Sequence, residues 1–372
     1  MKNVLIVYHY IAHYRVPIFN ILSKSTTPRY TLLSGTKTEI NIKTASKELA
    51  KTKVENGGLR WIFVKNYWFL NLFLIQPAVL KKSLSREYDT IIFLGVMYYP
   101  TTWLGAILAK MTNKKVIFWT HGYISNEKGF KGFLRKTFYK LADEILVYGQ
   151  WAKDILISKG FSPKKIKLVY NSLDYDKQLE IRKEKTEILN LFKNNDLPTF
   201  GFIGRLTKQK NVDALIEVLY RLQKNNTKAN LLIIGSGDQE ELLKEKVKTY
   251  NLGEFTCFYG SSYDEKEIYQ LLNYVKVVVS PGEVGLTAIH ALTYGTPVIT
   301  HNDFSKQMPE FEVIKSNITG DFFKHGNVTE MENVLKKWLF EKNKKDVQKD
   351  CYAIIDNFYN PYKQKEIFDS VV

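Results

Sequence analysis

Cysteine is scarce: Cys257 and Cys351 are the only two in 372 residues, and their spacing suits neither a metal nor a redox pair. That excludes a disulfide-built scaffold and leaves two buried thiols in a reducing cytoplasm as the expectation. No G-x-G-x-x-G follows the first strand-like run at residues 4–8, which argues against a dehydrogenase. The opening MKNVLIVYHYIAHYR lacks a long apolar core with a cleavage site, so a first strand is expected there and not a signal peptide. Long apolar runs are lacking as well. The longest uncharged stretch, residues 90–109, is interrupted by Tyr98-Tyr99-Pro100-Thr101-Thr102. A strand, a turn and a helix are expected from it, with no transmembrane segment.

What is present points to a large buried protein. A 45% hydrophobic and 14% aromatic content excludes a disordered chain, and the length suits two domains. The formal charge of +16 is one-sided. Residues 1–200 hold 32 Lys+Arg against 15 Asp+Glu, whereas residues 201–372 hold 22 against 23. Such asymmetry implies an anionic surface met by the first half: a membrane leaflet, a lipid-linked phosphate or nucleic acid. Two stretches carry this reading. Residues 60–80 (RWIFVKNYWFLNLFLIQPAVL) crowd aromatic residues ahead of Lys81 and Lys82, and suit either core packing or a membrane interface. Residues 126–140 (NEKGFKGFLRKTFYK) interleave lysines with Phe130, Phe133 and Phe138, as a membrane-facing helix or a solvated basic face would.

Strand-like runs recur at residues 4–8, 30–33, 59–64, 90–94, 115–119, 144–148 and 166–170, with helical spacing between most of them. This alternation predicts an α/β protein with parallel, doubly wound sheets. The expected organisation is a first domain over 1–180, a charged helix-prone linker over 181–196, a second domain over 197–349, and a tail helix over 350–372 crossing back.

The chain is organised around residues 280–300, SPGEVGLTAIHALTYGTPVIT. A strand runs into a Pro-Gly turn, then into a helix carrying Leu286, Ile289 and Leu292, then stops at Gly295-Thr296-Pro297 before a second strand. Gly282 and Gly285 allow close backbone approach to a ligand, and the helix start favours an anion. This stretch resembles the donor-site segment of the retaining GT-B glycosyltransferases called family 4, E-G-F-G-L-x-x-x-E-A-M-A-x-G-x-P-V-I. The two family glutamates fall on Gly282 and His290, with Glu283 one place after the first. Residues 204–212, GRLTKQKNV, resemble the family's G-R-L-x-x-x-K-G, with Asn211 for the second glycine. Gly235-Ser236-Gly237 and Thr319-Gly320-Asp321 also resemble family segments.

The resemblance implies a GT-B fold, two Rossmann-like domains facing across a cleft, and a role for each matching residue. Arg205 and Lys210 would meet the charge of a departing diphosphate, and His121 and Glu283 would act on the transferred sugar; Lys208 competes with Lys210 for its role, and spacing favours Lys210. Gly204, Gly235, Gly237, Tyr263, Gly282, Val284, Gly285, Leu286, Thr287 and His290 would bind the donor, with Glu267 beside the base. His9, His13 and Arg15 in the first loop would face the acceptor, although His9 equally suits a strand cap. Asp174-Tyr175-Asp176 looks like a metal-binding D-x-D but sits where the family reads N-G-V-D, so no metal and no other cofactor is expected.

The function implied is retaining transfer of a hexosyl group from a nucleotide-sugar to a glycan or lipid-linked acceptor in cell-surface polysaccharide synthesis, of the capsule or lipopolysaccharide type. The protein is expected in the cytoplasm, on the inner face of the plasma membrane, held to anionic lipid by its basic half. Two alternatives stand beside this one: a nucleotide-sugar 2-epimerase of the same fold, and a basic nucleic-acid-binding protein. The last lacks any recognition element or stacking signature, so nucleic acid is not an expected partner.

Overall fold

The computed structural model describes residues 2–39, 42–123, 127, 129–185, 187 and 189–372. The chain divides into two compact units, one of Met1–Asp174 with Asn360–Val372 and one of Tyr175–Tyr359.

The first unit begins with β1 (Asn3–Tyr10), β2 (Arg29–Gly35) and β3 (Trp61–Phe63). A separate antiparallel hairpin, β4 (Tyr67–Phe69) and β5 (Phe73–Ile75), precedes β6 (Thr90–Leu94), β7 (Lys115–Thr120), β8 (Glu144–Val147) and β9 (Ile166–Leu168). The sheet runs β3-β2-β1-β6-β7-β8-β9 with parallel pairings, so the strand order reverses between β1 and β6. Helices α1 (Val16–Lys24), α2 (Ala78–Leu84), α3 (Pro100–Met111), α4 (Gly129–Lys140) and α5 (Gln150–Ser158) alternate with these strands. Both faces of the sheet are covered. Along β1, Val4, Ile6 and Tyr8 enter one core, while Leu5 and Val7 enter the other. That two-sided burial explains why the strands read as continuous apolar runs. Each fully buried side chain such as Phe19 contributes about 1.5–3 kcal/mol.

The aromatic run at residues 60–80 is buried in part and exposed in part. Trp61 and Leu74 are buried, but Tyr67, Phe69, Leu70, Leu72 and Phe73 on the hairpin are exposed. Of the basic stretch 126–140, Asn126 and Lys128 lie outside the described residues, and α4 occupies the rest from Gly129. Among the described residues no helix is long and apolar enough to cross a membrane.

The second unit opens with α6 (Tyr175–Ile181) and continues with β10 (Thr199–Ile203), α7 (Asp213–Lys224), β11 (Asn230–Ile234), α8 (Glu240–Thr249) and β12 (Thr256–Gly260). It goes on through α9 (Glu265–Tyr274), β13 (Val277–Ser280), α10 (Leu286–Thr293), β14 (Val298–His301), β15 (Gly320–Phe323), α11 (Val328–Lys336) and α12 (Lys344–Phe358). The parallel order is β12-β11-β10-β13-β14-β15, so the order reverses between β10 and β13. In such sheets ligands bind beyond the carboxyl ends of the strands at the reversal. Residues 204–212 and 281–285 leave those two strand ends.

Residues 181–196 are not the free helical linker that their charge suggests. After Ile181 the described residues there are non-helical and tied to the second unit. Glu187 N–H donates to Gln270 Oε1 at 2.8 Å, and Asn230 Nδ2 donates to the Asn194 carbonyl at 2.9 Å. The Asn195 side chain accepts from the Leu191 and Phe192 N–H groups and so competes with helix formation. Thr186 and Ile188 lie outside the described residues. The tail is likewise two helices instead of one: α12 stays in the second unit, and α13 (Pro361–Ser370) lies in the first. Asn360 caps α13 by accepting from Lys363 N–H at 2.8 Å, and Pro361 has no N–H with which to continue a preceding helix. Phe368 of α13 then packs edge-on against Trp119, with centroids 5.0 Å apart.

Candidate active site

The glycine-rich loop after β13 is built against the basic loop after β10. Gly282 N–H donates to the Lys210 carbonyl at 3.1 Å, and a Cβ on residue 282 would lie 2.1 Å from the Gln209 carbonyl oxygen. No side chain fits there, which is why the carboxylate of this loop sits on Glu283. Lys210 Nζ donates to the Glu283 backbone carbonyl at 2.7 Å and stands 3.5 Å from its Oε1. Burial pulls the Lys210 ammonium below its usual pKa, and the charges of Glu283 and Glu310 oppose that shift. Asn211, which stands where the family has glycine, adopts φ 53°, a left-handed conformation that asparagine tolerates. Lys208 is exposed.

Gln307 holds the loop from behind. Its Oε1 accepts from Val284 N–H at 2.9 Å, while its Nε2 donates to Thr300 Oγ1 and to the His301 carbonyl. Val284 is therefore buried, with its N–H spent inside the loop and not offered to a ligand. Gly285, at φ 55°, precedes α10 and supplies no side-chain cap. The first-turn N–H groups of α10, beginning with Leu286 and Thr287, lie at the positive end of the helix, where an anion is favoured. Thr287 Oγ1 donates to the Ile203 carbonyl at 3.2 Å and ties the helix start to β10.

A pocket opens beside this loop at the ends of β10, β11 and β12. Gly204, Arg205, Gly235, Ser236, Ser262 and Tyr263 are among the residues lining it. A Cβ on residue 235 would stand 1.9 Å from the Gly204 carbonyl oxygen, so glycine is required for the two strand ends to meet. Gly237 sits equally close to the Leu206 backbone. Arg205 is exposed at the pocket, and the Tyr263 ring lies open to solvent at its edge. Glu267 accepts from the Tyr259 hydroxyl at 2.6 Å and from the Ser262 hydroxyl, and so braces the pocket wall.

His290 is engaged elsewhere. Its Nε2 pairs with Glu265 Oε1 at 2.7 Å, and the same oxygen accepts from Tyr294 Oη at 2.7 Å and Gln178 Nε2 at 2.8 Å. Burial alone would raise the Glu265 pKa, but the hydrogen bond and charge of His290, with the bonds from Tyr294 and Gln178, take it down to about 2. Where the family carries one glutamate, this chain has a histidine with a glutamate behind it.

In the first unit, the carboxyl ends of β1, β7 and β8 gather a second cluster. Arg15 is buried: its Nη2 donates to Tyr148 Oη at 3.0 Å, and its guanidinium lies 5.3 Å from the ring centroids of both Trp119 and Tyr148. His121 stands 4.6 Å from the Tyr148 ring, and its loop is anchored by Tyr139 Oη, which donates to the Gly122 carbonyl at 3.0 Å. His9 stacks on Tyr10 at 3.8 Å, and its buried Nδ1 has no hydrogen-bond partner among the described residues. Burial first, then the charge of Arg15, lowers His9 to about 3 and His121 to about 4, with His121 adding to the shift on His9. Both imidazoles are neutral at physiological pH. His13 is apart from this cluster, exposed and 3.3 Å from the Lys43 carbonyl.

Sequence reasoning missed Gln307, Glu265, Tyr139 and Tyr148. Each acts through a contact distant in sequence, and none stands in a local motif. Among the described residues no group of three His, Cys, Asp or Glu is placed to hold a metal ion. Asp174-Tyr175-Asp176 instead leads into α6, with Tyr175 Oη donating to Asp356 at 3.0 Å. Cys257 and Cys351 are both free thiols, but only Cys351 is buried as expected, Cys257 being half-buried.

Comparison with known proteins bears on this site. Residues 183–352 match the family described as glycosyl transferases group 1, and residues 45–177 match glycosyltransferase family 4. A 41.2 kDa protein in the cps region of Klebsiella pneumoniae, itself uncharacterized, is 30% identical over 234 residues, 57% of this chain and 58% of that protein. An uncharacterized glycosyltransferase of Methanocaldococcus jannaschii is 32% identical over 218 residues, 55% of this chain and 52% of that one. The matches thus span little more than half the length of these relatives. Among solved structures, the lipopolysaccharide outer core galactosyltransferase WaaB has a TM-score of 0.71 at 18% identity, covering 100% of this chain and 99% of its own. Anabaena HepE in complex with UDP gives 0.70 at 17% identity, with the same coverage. A UDP-N-acetylglucosamine 2-epimerase assignment from Listeria monocytogenes gives 0.62 at 13% identity, covering 99% of this chain and 95% of its own, so the fold alone does not choose between the two activities. With the two family models lying end to end over the two parallel-sheet units, the chain belongs to the GT-B glycosyltransferases of the family 4 kind.

Proposed function

We propose that this protein transfers a hexosyl group, with retention, from a nucleotide-sugar to a glycan or lipid-linked acceptor in cell-surface polysaccharide synthesis. The observation that carries the reading is the junction of the loops after β10 and β13. There Lys210, Glu283 and the uncapped start of α10 converge beside the pocket that exposes Arg205. A diphosphate leaving group gains negative charge as the glycosidic bond breaks, and fixed donors aimed at that charge lower the barrier. Arg205 offers a planar fork, Lys210 a point charge and α10 its first-turn N–H groups. These groups do for the leaving diphosphate what a divalent cation does elsewhere, so the transfer proceeds without a metal. The carboxylate of Glu283, held by Lys210, takes hydroxyls of the transferred sugar. HepE binding UDP and UDP-glucose favours a uridine nucleotide as donor.

In the first unit, His121 and His9 are neutral and so able both to donate and to accept, while Arg15 fixes the ring cluster around them. This suits hydroxyl recognition, and we assign His121 to the transferred sugar and His9 with Arg15 to the acceptor. The place of work is the inner face of the plasma membrane, consistent with the basic first half.

Incubation with a panel of UDP-sugars and polyprenyl-linked glycan acceptors tests the reading. Proton NMR should show a new glycoside with the anomeric configuration of the donor, and chelation should leave the rate unchanged. Release of a free 2-epimeric sugar would instead identify an epimerase. An inverted product would remove the retaining assignment.

A further inference from the structure

The first unit exposes more apolar surface than its cluster at the strand ends requires. The turn of the β4–β5 hairpin is Leu70-Asn71, at φ 52° and 50°, and Leu70 is 89% exposed. A left-handed leucine standing in water is unfavourable on both counts. Phe69, Leu72 and Phe73 surround it and are exposed too. β5 packs on α3, and the Phe73 ring meets the Tyr98 ring just before that helix, with centroids 6.0 Å apart.

The helix itself is unusual in what it shows to solvent. Leu104, Ile107 and Met111, spaced along one face, are exposed, while Thr101, Gly105 and Ala109 on the other face are buried. The next helix, α4, exposes Phe130 and Phe133, and Trp103 of α3 meets its Phe138 with ring centroids 4.8 Å apart. Hairpin, α3 and α4 are thus neighbours that each expose several large apolar side chains.

The charge around this surface says what covers it. Between Glu55 and Asp143 the chain holds only three carboxylates, Glu87, Asp89 and Glu127. All three are engaged: Glu87 with Lys82, Asp89 with Asn3 N–H, and Glu127 with Arg135 and Lys131. The hairpin, α3 and α4 themselves carry none. Lysines lie along the same surface instead. Lys65 Nζ sits 5.0 Å from the Tyr67 ring centroid at the start of the hairpin, and Lys140 ends α4. Apolar side chains with cations beside aromatic rings, and with the carboxylates near them, Glu127 and Asp143, paired to lysine or arginine, match the boundary between anionic headgroups and acyl chains.

We propose that this surface docks on an anionic bilayer, with the Phe69–Leu70–Leu72 tip of the hairpin inserted below the headgroups. The proposal gives the membrane-side acceptor its docking geometry and rests on that reading for its biological sense. Insertion of the tip, unlike attraction of a basic face, places one named residue in hydrocarbon.

An environment-sensitive fluorophore attached through Leu70→Cys, in the full chain carrying Cys257→Ser, tests it. Emission should shift to the blue on phosphatidylcholine vesicles containing phosphatidylglycerol, and less so on phosphatidylcholine alone. The double variant Phe69→Ser, Leu72→Ser should bind the anionic vesicles about tenfold or more weakly, since two apolar side chains leave the acyl region. Its thermal-shift response to UDP should equal that of the unmodified chain, which confirms folding and keeps failure of the nucleotide reading separate. Vesicle binding with no shift at position 70 would overturn insertion, as would no vesicle binding at all. Lipid-free self-association that Leu70→Ser abolishes would show instead that the surface joins two copies.

Discussion

Lys210 Nζ is bonded to the backbone carbonyl of Glu283 at 2.7 Å, so the cation of one strand-end loop holds the carboxylate-bearing loop of the other. Half-buried and desolvated, this lysine has both a structural and an electrostatic part to play. Arg205, exposed at the adjoining pocket, has no such tether among the described residues.

That contrast separates two variants. Arg205→Ala should lower turnover on the order of a hundredfold, by loss of a donor to the leaving diphosphate, with little change in melting temperature. Lys210→Met should lower turnover at least as much and also reduce melting temperature, because the Glu283 loop loses its anchor. Steady-state rates and thermal unfolding on both variants check this, and equal melting losses would remove the distinction.

Restoring the family's glutamate at its aligned place should fail. Gly282→Glu drives a side chain into the Gln209 carbonyl, which a Cβ would already approach to 2.1 Å. Overpacking of this kind costs about 1–3 kcal/mol, enough to lower the melting temperature by several degrees and to displace Lys210. Calorimetry should find UDP affinity reduced as well. A variant as stable and as tight-binding as the parent would show that the two loops are not packed as described.

The Glu265–His290 pair makes a claim about acid stability. Glu265 is taken down to about 2 in the folded state, against about 4.3 when unfolded. The folded form therefore holds fewer protons, and the pair's contribution is fully present above about pH 4.3 and lost as pH falls toward 2. His290→Ala removes a hydrogen bond and a charge, so the acid-unfolding midpoint followed by circular dichroism should move to higher pH. An unmoved midpoint in a folded variant would show that the pair contributes nothing.

His9 and His121 work in the same sense from the other charge type. Their folded pKa values, about 3 and about 4, lie below the unfolded 6.5, so stability falls as pH drops from 6.5 toward those values. In NMR titration, three of the six histidines should stay neutral down to about pH 5: His301, which burial lowers to about 4, and the first-unit pair His9 and His121. Arg15→Met, by removing the nearby cation, should raise both midpoints. Titration of all six near 6.5 would contradict the buried cluster.

Much of this protein was settled by local pattern. Apolar runs at residues 4–8, 90–94 and 115–119, separated by helical spacing, determine parallel strands covered on both faces, because no other arrangement buries them. GRLTKQKN and SPGEVGL carry their glycines and cations at strand ends, where backbone freedom and charge are legible residue by residue. What only the tertiary structure decided are contacts between segments far apart in the chain. Gly282 is glycine because the Gln209 carbonyl occupies the space its side chain would need, and His290 is spent on Glu265, 25 residues away. Residues 60–80 suit core packing first and an interface second, because composition does not say which side of a hairpin meets solvent. Pairing of Phe69 with Phe73 across the Leu70-Asn71 turn decided that, and left the aromatic tip outside.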